Sequence, residues 1–447
     1  MPKGIRYLLS CTTDMHSPPA KAAKAMEKPV PVTPLLARAL QRIRSTPPRM
    51  IASPPTQPRR AAVALLIRVV PTPTAKLPDP AAPPPSLTDF FEQDWVKDPN
   101  SRAEILFLHR QNDIGENATE GRVRNAAREA HVAFPGGRTE ADDEGGLYTA
   151  MRQTWEEIGI DLAEKYYTSI GQLDDREITT SLGKRLLMIL SPYVFLQVTP
   201  TAPPPDPVAT TTLHWIPLTA LVSPNSSPKW STVTVDAASR IAPRSSAALR
   251  YLIRALVGSM EFPAIVLDTP GPPSEKPKKK LTSTHDVIEK GLSPKTLKLW
   301  GLSLGMTLDL MSYMILPQSS RNDLPPKSED GTESPLSQYM QLPYQDVVED
   351  FRVEYAAPSL ASVFPKFSYP DVNFWIWVFG KRYREVMRGW EASLRAGGVN
   401  DRRINWSGSA LSTFYAAIRK ALIVVIVARA LGILFGLGFA GWWIFSQ

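Results

Sequence analysis

Residues Phe134–Asp161, FPGGRTEADDEGGLYTAMRQTWEEIGID, join a Pro-Gly-Gly turn to an acidic loop and then to a segment that ends in two glutamates. The second half has helical period, since four side chains share one face: Leu147, Met151, Thr154 and Ile158. Gly159 follows, and glycine is the residue that most often ends a helix. The stretch therefore predicts a turn, a loop and one helix.

The rest of the predicted helix surface is polar and charged. Gln153 and Glu157 lie four residues apart and stack on one face, and Arg152 is spaced to pair with Glu156. Neighbouring carboxylates suit a hard cation such as Mg²⁺, which takes oxygen ligands and usually shares them with substrate phosphates. A capped surface helix with solvated charges is the alternative.

The turn and the loop add further oxygen ligands to the same neighbourhood. Gly136 and Gly137 have no side chain, so the backbone approaches closely and exposes a carbonyl group. Three consecutive acids, Asp142–Glu144, follow in the loop. The combination favours a metal-dependent site for hydrolysis of a diphosphate linkage, in which metal ions neutralise phosphate charge.

The whole string resembles the Nudix box: Gly, five residues, Glu, seven residues, Arg-Glu, an apolar residue, any residue, Glu-Glu, any residue, Gly, and an apolar residue. The matches in register are Arg152, Glu156, Glu157, Gly159 and Ile160. Counting seven residues back from Arg152 makes Glu144 the first Glu, and one extra residue then separates it from Gly137. Asp143 restores the spacing from the glycine but breaks the spacing to Arg152.

Gln153 is the main departure, because it stands where the box has the Glu of Arg-Glu. In the family that glutamate is a metal ligand and, in some members, the general base. An amide oxygen can coordinate a metal but accepts a proton poorly. Two interpretations stay open: a hydrolase whose base lies elsewhere, or a catalytically weak nucleotide sensor or membrane scaffold. Acids in the motif LDDRE are candidates for the base: Asp174, Asp175 and Glu177.

Further segments resemble the coenzyme A pyrophosphatase branch of the Nudix family, over about residues 60–315. They are LFLHR, HVAFPGGR, GQLDD, LSPYVF and LWGLSLGMTLDLM. Ala130 and His131 stand where that branch has a Gly-Gln pair. The resemblance implies an α/β fold, a Nudix-type α/β/α sandwich with a mixed sheet. It also implies cleavage of coenzyme A or its acyl derivatives into 4′-phosphopantetheine and adenosine 3′,5′-bisphosphate.

The resemblance also assigns roles at the site, with a small-molecule nucleotide as substrate and Mg²⁺ or Mn²⁺ as cofactor. The implied metal ligands are the Gly137 carbonyl, Glu144, Glu156 and Glu157. The implied catalytic residues are Arg152, Gln153, Glu156 and Glu157. The substrate-binding residues are predicted to be Arg110, Arg128, Gly136 and Gly137. The two arginines would hold a nucleotide phosphate through bidentate contacts, and ordinary solvated arginines are the alternative.

The N-terminal region is basic, with 12 Lys and Arg and two acids in the first 70 residues. Residues 1–57 are also rich in Ala, Pro and Ser, which predicts a disordered segment. Within it, PLLARALQRIR would form a basic amphipathic helix of the kind found in mitochondrial transit peptides. The single cysteine, Cys11, excludes an intrachain disulfide framework and a cysteine-based zinc site.

The C-terminal region contains an apolar run, LIVVIVARALGILFGLGFAGWWIF at residues 422–445, with one charge at Arg429. About 20 apolar residues cross a bilayer core, and Trp442 and Trp443 stand where interfacial aromatic residues belong. The run predicts a single-pass tail anchor with the catalytic domain facing the cytosol, and a mitochondrial location is the alternative. A buried helix of a soluble bundle is a second alternative.

Five regions make up the predicted organisation. They are a disordered segment at 1–57, a Nudix hydrolase domain with Pro-rich inserts at 58–315, a linker at 316–343, a helical region at 344–420 and a membrane anchor at 421–447. Strands are expected at 61–70 and 103–110, and later helices at 238–258, 294–314 and 374–397. The basic run EKPKKK is interpreted as a solvated linker, so no nucleic-acid partner is expected.

Overall fold

Helices and strands alternate along the chain in the computed structural model. It describes residues 32–54, 59–79, 82–111, 129–179, 186–222, 229–237, 246–267, 296–314, 364–382, 384–385 and 409–446, which belong to one compact unit, Pro31–Gln447. The helices are α1 (Thr33–Ser45), α2 (Leu87–Glu92), α3 (Asp94–Lys97), α4 (Gly146–Ile158), α5 (Thr219–Val222), α6 (Ala247–Val257), α7 (Gly301–Ser312), α8 (Pro370–Phe379) and α9 (Ser409–Ser446). The strands are β1 (Arg60–Val70), β2 (Arg102–Arg110), β3 (Glu129–His131), β4 (Gly136–Arg138), β5 (Tyr167–Gln172), β6 (Arg176–Thr179), β7 (Leu186–Gln197), β8 (Thr211–Pro217), β9 (Lys229–Asp236), β10 (Ser259–Leu267), β11 (Thr296–Trp300) and β12 (Lys366–Phe367).

The first sheet is mixed and has β1 at its centre. Among the described residues it contains seven strands in the order β5-β7-β1-β2-β8, with β4 also paired to β1 and β6 to β7. Strand β1 is parallel to β7 and antiparallel to β2. Because β1 has neighbours on both edges and packing on both faces, residues 61–67 are continuously apolar, within the strand predicted at 61–70.

Helices cover both faces of this sheet, and alternate residues of each strand face opposite layers. Leu66 of β1 and Leu106 of β2 share a buried cluster with α4, including Ala150. Leu65 and its face of the sheet belong to a second cluster that includes Leu40 of α1. The arrangement confirms the predicted mixed α/β class with a mixed sheet.

A second mixed sheet was not expected from the sequence. It contains five strands among the described residues, in the order β12-β10-β11-β3 with β9 paired to β10, and β3 is parallel to β11. The helix predicted at 294–314 is therefore partly wrong, because Thr296–Trp300 is strand and α7 starts at Gly301. Leu297, Lys298 and Leu299 are all buried, and the segment pairs with β10 on one side and with β3 on the other. The helix predicted at 238–258 starts at Ala247 within the described residues.

The predicted disorder of residues 1–57 is wrong for helix α1. The amphipathic helix forms as expected, but its apolar stripe is built into the protein core, with Leu36, Ala39 and Leu40 fully buried. An amphipathic helix gains most of its stability from packing that stripe. The folded domain therefore begins before the predicted boundary at residue 58, and residues 1–31 lie outside the described part.

A buried carboxylate ties the segment after α1 to the sheet. One oxygen of Asp175 accepts hydrogen bonds from the Ile51 backbone N–H (2.9 Å) and the Arg60 guanidinium (2.7 Å). The other oxygen accepts from the Gln172 amide and the Ser191 hydroxyl, each at 2.7 Å. The Asp175 side chain is fully buried, so these four donors replace the water that the charge has lost.

Replacing Asp175 with alanine should lower the free energy of unfolding by about 3 kcal/mol, because removal of one partner leaves the other charge poorly compensated. Chemical denaturation of the Asp175→Ala variant measures this loss. Asp142→Ala, which removes an exposed aspartate, is the matched control and should unfold like the wild-type protein. Equal stability of the two variants would contradict a structural role for Asp175.

The C-terminal helices differ in extent from the prediction. Helix α8 starts at Pro370 and ends before Gly380, whereas a helix was predicted at 374–397; residues 386–408 lie outside the described part. Helix α9 is continuous across the predicted domain boundary at residue 420. One helix, Ser412–Ser446, is long and apolar enough to cross a membrane. The predicted linker at 316–343 also lies outside the described residues.

Candidate functional site

Helix α4 docks against β1 and β4, and its buried face differs from the predicted one. Thr154 and Ile158 are buried as predicted. Leu147 is exposed, and Thr149 and Ala150 complete the buried face instead. In the first turn of α4, the Leu147 side chain therefore faces solvent. Gly159 ends the helix in the left-handed conformation, with φ of 67°, as expected for a C-terminal glycine.

The double-glycine turn lies directly against the charged side of α4. Gly136 has φ of +146°, and a β-carbon there would collide with the Ala62 carbonyl oxygen. A β-carbon on Gly137 would collide with the amide oxygen of Gln153. Position 136 therefore requires glycine, whereas a side chain at position 137 would displace the Gln153 side chain. The predicted turn and the predicted helix form one site.

A bidentate ion pair holds the acidic loop onto α4. The Arg152 guanidinium donates to both oxygens of Asp143, at 2.7 and 2.8 Å, and the Thr149 hydroxyl donates to Asp143 at 2.8 Å. The Asp143 side chain is almost fully buried. Hydrogen bonding from Arg152 holds the pKa of Asp143 well below its usual range, and Asp143 in turn raises the pKa of Arg152. This pair therefore stays charged at any pH at which the protein is assayed.

Asp143, and not the predicted Glu144, is thus the acid that faces the box arginine. Glu144 is exposed to solvent. Five residues separate Gly137 from Asp143, which is the spacing of the box, so the extra residue lies after the acid and before Arg152. The spacing from the glycine was the signal that could have identified Asp143. The role of Glu144 as a metal ligand remains a prediction, but it is Asp143 that lies buried against Arg152.

Two polar side chains of α4 hold Glu156. Arg152 donates to its two oxygens at 2.9 and 3.2 Å, across the predicted four-residue spacing. The Gln153 amide nitrogen donates to Glu156 at 2.8 Å. The Glu156 side chain is half exposed. Gln153 therefore presents its nitrogen to the carboxylate and its oxygen to the glycine turn.

Arg110, at the end of β2, binds Glu157 of α4. Its ε-nitrogen and one η-nitrogen donate to the two carboxylate oxygens, the latter at 2.7 Å. The same η-nitrogen lies 3.4 Å from the Phe134 carbonyl oxygen and 3.5 Å from the Gly136 carbonyl oxygen. A predicted substrate-binding arginine therefore neutralises a predicted metal ligand. Arg128 lies outside the described residues.

The site offers oxygen atoms, which are the ligands that a hard cation such as Mg²⁺ binds. Among the described residues, no group of three or more His, Cys, Asp or Glu side chains is placed to hold a metal ion. Two neighbouring carboxylates, Glu156 and Glu157, an amide oxygen and backbone carbonyl groups are present. Mg²⁺ is commonly bound by one or two carboxylates together with substrate phosphates and water. The residues therefore fit a cation shared with a phosphate ligand better than a cation held by protein alone.

The downstream acids do not supply an obvious base. Asp175 is buried with four hydrogen-bond donors, and Asp174 accepts from the Arg49 backbone N–H at 2.8 Å. Burial raises the pKa of Glu177 on β6. Of the three, Asp175 is excluded as a proton acceptor because its lone pairs are already in use.

Comparison with known proteins gives limited information about this chain. No protein-family model matches it. An uncharacterized protein of Schizosaccharomyces pombe is 29% identical over 138 residues, which is 31% of this chain and 41% of that protein. The chain thus spans less than half of the length of that relative.

A solved structure, of a MutT/nudix family protein from Enterococcus faecalis, aligns over 75% of this chain and 93% of that one. The sequence identity is 11% and the TM-score is 0.22. A score at this level does not assign the fold.

Proposed function

We propose that this protein is a Nudix-type pyrophosphohydrolase that cleaves a nucleoside diphosphate linkage, with coenzyme A or its acyl derivatives as the preferred substrate. The observation that carries the proposal is the contact between the Gly136–Gly137 turn and the charged side of α4. The backbone of the turn lies against Gln153, and Arg110 links the Gly136 carbonyl oxygen to Glu157. The Asp143–Arg152 pair fixes the acidic loop beside them. These are the parts that diphosphate hydrolysis requires.

Four groups would hold Mg²⁺ or Mn²⁺: the carboxylates of Glu156 and Glu157, the Gln153 amide oxygen and the Gly137 carbonyl. When bound, such a metal neutralises phosphate charge and makes water a better nucleophile. The chain itself positions the ligands, since Arg152 orients Glu156 and the glycine turn orients Gln153. Arg110 neutralises Glu157 in the free site, so a cation has to compete with this guanidinium for the carboxylate. A guanidinium released from that contact is suited to a substrate phosphate.

The preference for coenzyme A is supported by the segments that resemble that branch, because several of them pack together. Strand β11 precedes α7 in the motif LWGLSLGMTLDLM and pairs with β3, just before the glycine turn. The Trp300 ring lies 5.3 Å from the His131 ring. Asp309 of α7 pairs with the buried Arg176, which follows the motif GQLDD. The motifs thus form one continuous part of the protein.

We also propose that α9 holds the protein to a membrane, with the catalytic domain on the cytosolic side and a mitochondrial membrane as the alternative. The length and composition of the helix support this proposal. Of the described residues beyond Arg429, large apolar side chains such as Leu434 and Phe435 are exposed. Exposed apolar surface of this size is typical of contact with lipid or another protein.

The test is to incubate the full-length protein with coenzyme A and Mg²⁺ or Mn²⁺ and to identify the products by chromatography and mass spectrometry. A panel of other nucleoside diphosphate compounds under the same conditions defines the substrate class. Metal-dependent cleavage of coenzyme A in preference to the panel supports the proposal. Cleavage of another compound would correct the substrate, and no cleavage of any compound by folded protein would contradict the activity.

A catalytically weak nucleotide-binding module is the second candidate, and the contacts of the two glutamates favour it. Glu156 accepts hydrogen bonds from Arg152 and Gln153, and Glu157 accepts from Arg110. Each carboxylate is therefore already compensated in the free protein. Position 153 also lacks a group that accepts a proton.

A Gln153→Glu variant separates the two candidates. If the protein is a weak binding module, the added carboxylate should raise the turnover from near zero, by about 100-fold or more if it acts as a general base. If the protein is already an active hydrolase, the rate should change much less. Gln111→Glu, which adds the same charge at an exposed position near the site, is the matched control. A rate that rises equally in both variants would show a general effect of charge.

A further inference from the structure

Arg429 is anchored within the folded domain although it belongs to the apolar run. Its guanidinium donates to Asp371 at 2.6 Å and to the Leu256 carbonyl oxygen at 2.7 Å, and it lies 4.4 Å from the centre of the Tyr369 ring. Only 26% of the Arg429 side chain is exposed. The charge is therefore satisfied by protein groups, which is the condition under which a charged residue is tolerated at membrane depth.

Helix α8 runs back along α9 from this point. Asp371 in the first turn of α8 contacts Arg429, and the described residues of α9 after Arg429 are largely exposed. Val372 of α8 shares a buried cluster with Ile418 and Val425 of α9. Because the described residues of α9 after Arg429 are largely exposed, we infer that α8 extends from Asp371 toward the part of α9 near residue 420.

The outer side of this helix pair is apolar. Phe374 and Trp377 of α8 are about half exposed, and Ile423 and Val427 of α9 are more than half exposed. These residues extend the exposed apolar surface of α9 back past Arg429 and onto α8. Sixteen residues follow Arg429 up to Phe445, and at 1.5 Å per residue they span about 24 Å. That length is shorter than the bilayer core of about 30 Å.

Basic residues mark the other limit of the apolar surface. Lys381 and Arg382 follow α8, and Lys420 lies on α9 nine residues before Arg429, all exposed. The Arg384 guanidinium lies 4.7 Å from the centre of the Trp377 ring. Aromatic and basic side chains of this kind are typical of the headgroup level of a membrane. From residue 420 to the tryptophans at 442 and 443, α9 spans about 33 Å, which matches one bilayer core with an aromatic residue at each boundary.

We propose that α8 lies in the membrane beside α9, and that the bilayer boundary is at the level of Lys381 and Lys420, with the Arg429–Asp371 pair inside it. The occupant of the apolar side of α8 is the lipid bilayer itself. This inference rests on the proposed membrane anchoring by α9 but is independent of the hydrolase activity. It makes the body of the protein a membrane-embedded unit and not a soluble domain on a tether.

Spin labels on the full-length protein test this placement. In a Cys11→Ser background, single cysteines replace Phe374 on α8, Leu437 near the C-terminal end of α9, and Val208. Val208 is exposed in the segment just before β8 and serves as the water-exposed control. The labelled proteins are reconstituted into vesicles of phosphatidylcholine and phosphatidylglycerol. Collision rates with oxygen, which enters lipid, and with a water-soluble nickel chelate are then measured.

The ratio of oxygen to nickel collisions should be several times higher at positions 374 and 437 than at 208. A label at 374 that behaves like 208, while 437 reports lipid, would overturn the embedding of α8 and leave the anchor intact. Water exposure at both 374 and 437 would overturn the anchor and the embedding together. Hydrolysis measured in the same vesicles is a separate result, so failure of the proposed activity is distinguishable from either.

The ion pair gives a second, independent readout. Asp371→Ala leaves Arg429 without its counter-charge, so nickel collisions at position 374 should increase as the segment moves toward water. The double change Asp371→Ala with Arg429→Leu removes the unpaired charge and should restore the low nickel collision rate. If Asp371→Ala leaves the collision rate at 374 unchanged, the pair does not lie in the bilayer and the proposed boundary is wrong.

Discussion

Glu157→Gln is expected to reduce turnover at least about 100-fold while leaving the fold unchanged. The amide keeps the shape of the side chain but removes the charge that is proposed to bind the metal, and even outer residues of metal sites affect activity by 10-fold to 100-fold. Glu157 lies at the edge of α4 and contacts Arg110, whose side chain is 41% exposed. The Glu157 side chain is only 15% exposed, so weakening this hydrogen-bonded pair should cost about 1–3 kcal/mol, which is less than the whole stability of a typical domain.

Initial rates at saturating substrate and thermal unfolding curves, measured on the same preparations, check this prediction. Glu164→Gln removes the same charge from an exposed position after α4 and is the matched control, with wild-type turnover expected. A Glu157→Gln variant that keeps its turnover would mean that Glu157 serves only to bind Arg110.

Leu40→Asp is expected to unfold the domain. Leu40 is fully buried in the cluster that α1 shares with the first sheet. Loss of a buried leucine costs about 2–5 kcal/mol, and burial of an unpaired carboxylate adds several more. The total approaches the whole stability of a typical domain, about 5–15 kcal/mol.

Circular dichroism and limited proteolysis of the purified variant would detect the loss of structure. Gln41→Asp places the same carboxylate at the adjacent, exposed position of α1 and should fold normally. If Leu40→Asp also folds normally, α1 is dispensable and the domain begins near residue 58, as the sequence had indicated. A truncation at residue 58 would then be a valid form of the folded protein.

The elements around the site could be predicted because local pattern determines them. Strand β1 is a largely apolar run between prolines, and α4 has helical period and a terminal glycine at Gly159. The pairing of Arg152 with Glu156 follows from a spacing of four residues within one helix. These features depend on residues close together in the chain, so sequence alone contains the information.

The contacts that were missed depend on residues far apart in the chain or on the path of a loop. Arg110 meets Glu157 across 47 positions, and no local pattern links β2 to the last turn of α4. The choice of Asp143 over Glu144 depends on a turn in the loop, in which the Glu140 backbone N–H donates to the Asp143 carboxylate at 2.9 Å. The second sheet was missed for the same reason, since β3 and β11 pair across more than 160 residues.

The burial of α1 shows why an amphipathic helix is ambiguous in a sequence. A basic helix with one apolar face suits a targeting peptide, a membrane surface or a protein core equally well. Only the presence of a complementary apolar face on the sheet distinguishes these cases. Here that face includes Leu65 and Phe107, which share a cluster with Leu36 and Leu40.

The most direct test of the proposed activity is to follow coenzyme A, the full-length protein and Mg²⁺ in heavy-oxygen water by mass spectrometry. The proposal predicts 4′-phosphopantetheine and adenosine 3′,5′-bisphosphate in equal amounts, with one heavy oxygen atom in the phosphate of one product. That result would establish hydrolysis of the diphosphate linkage by water. Intact coenzyme A after incubation with folded, metal-supplied protein would contradict it, and the α4 site would then be assigned to binding.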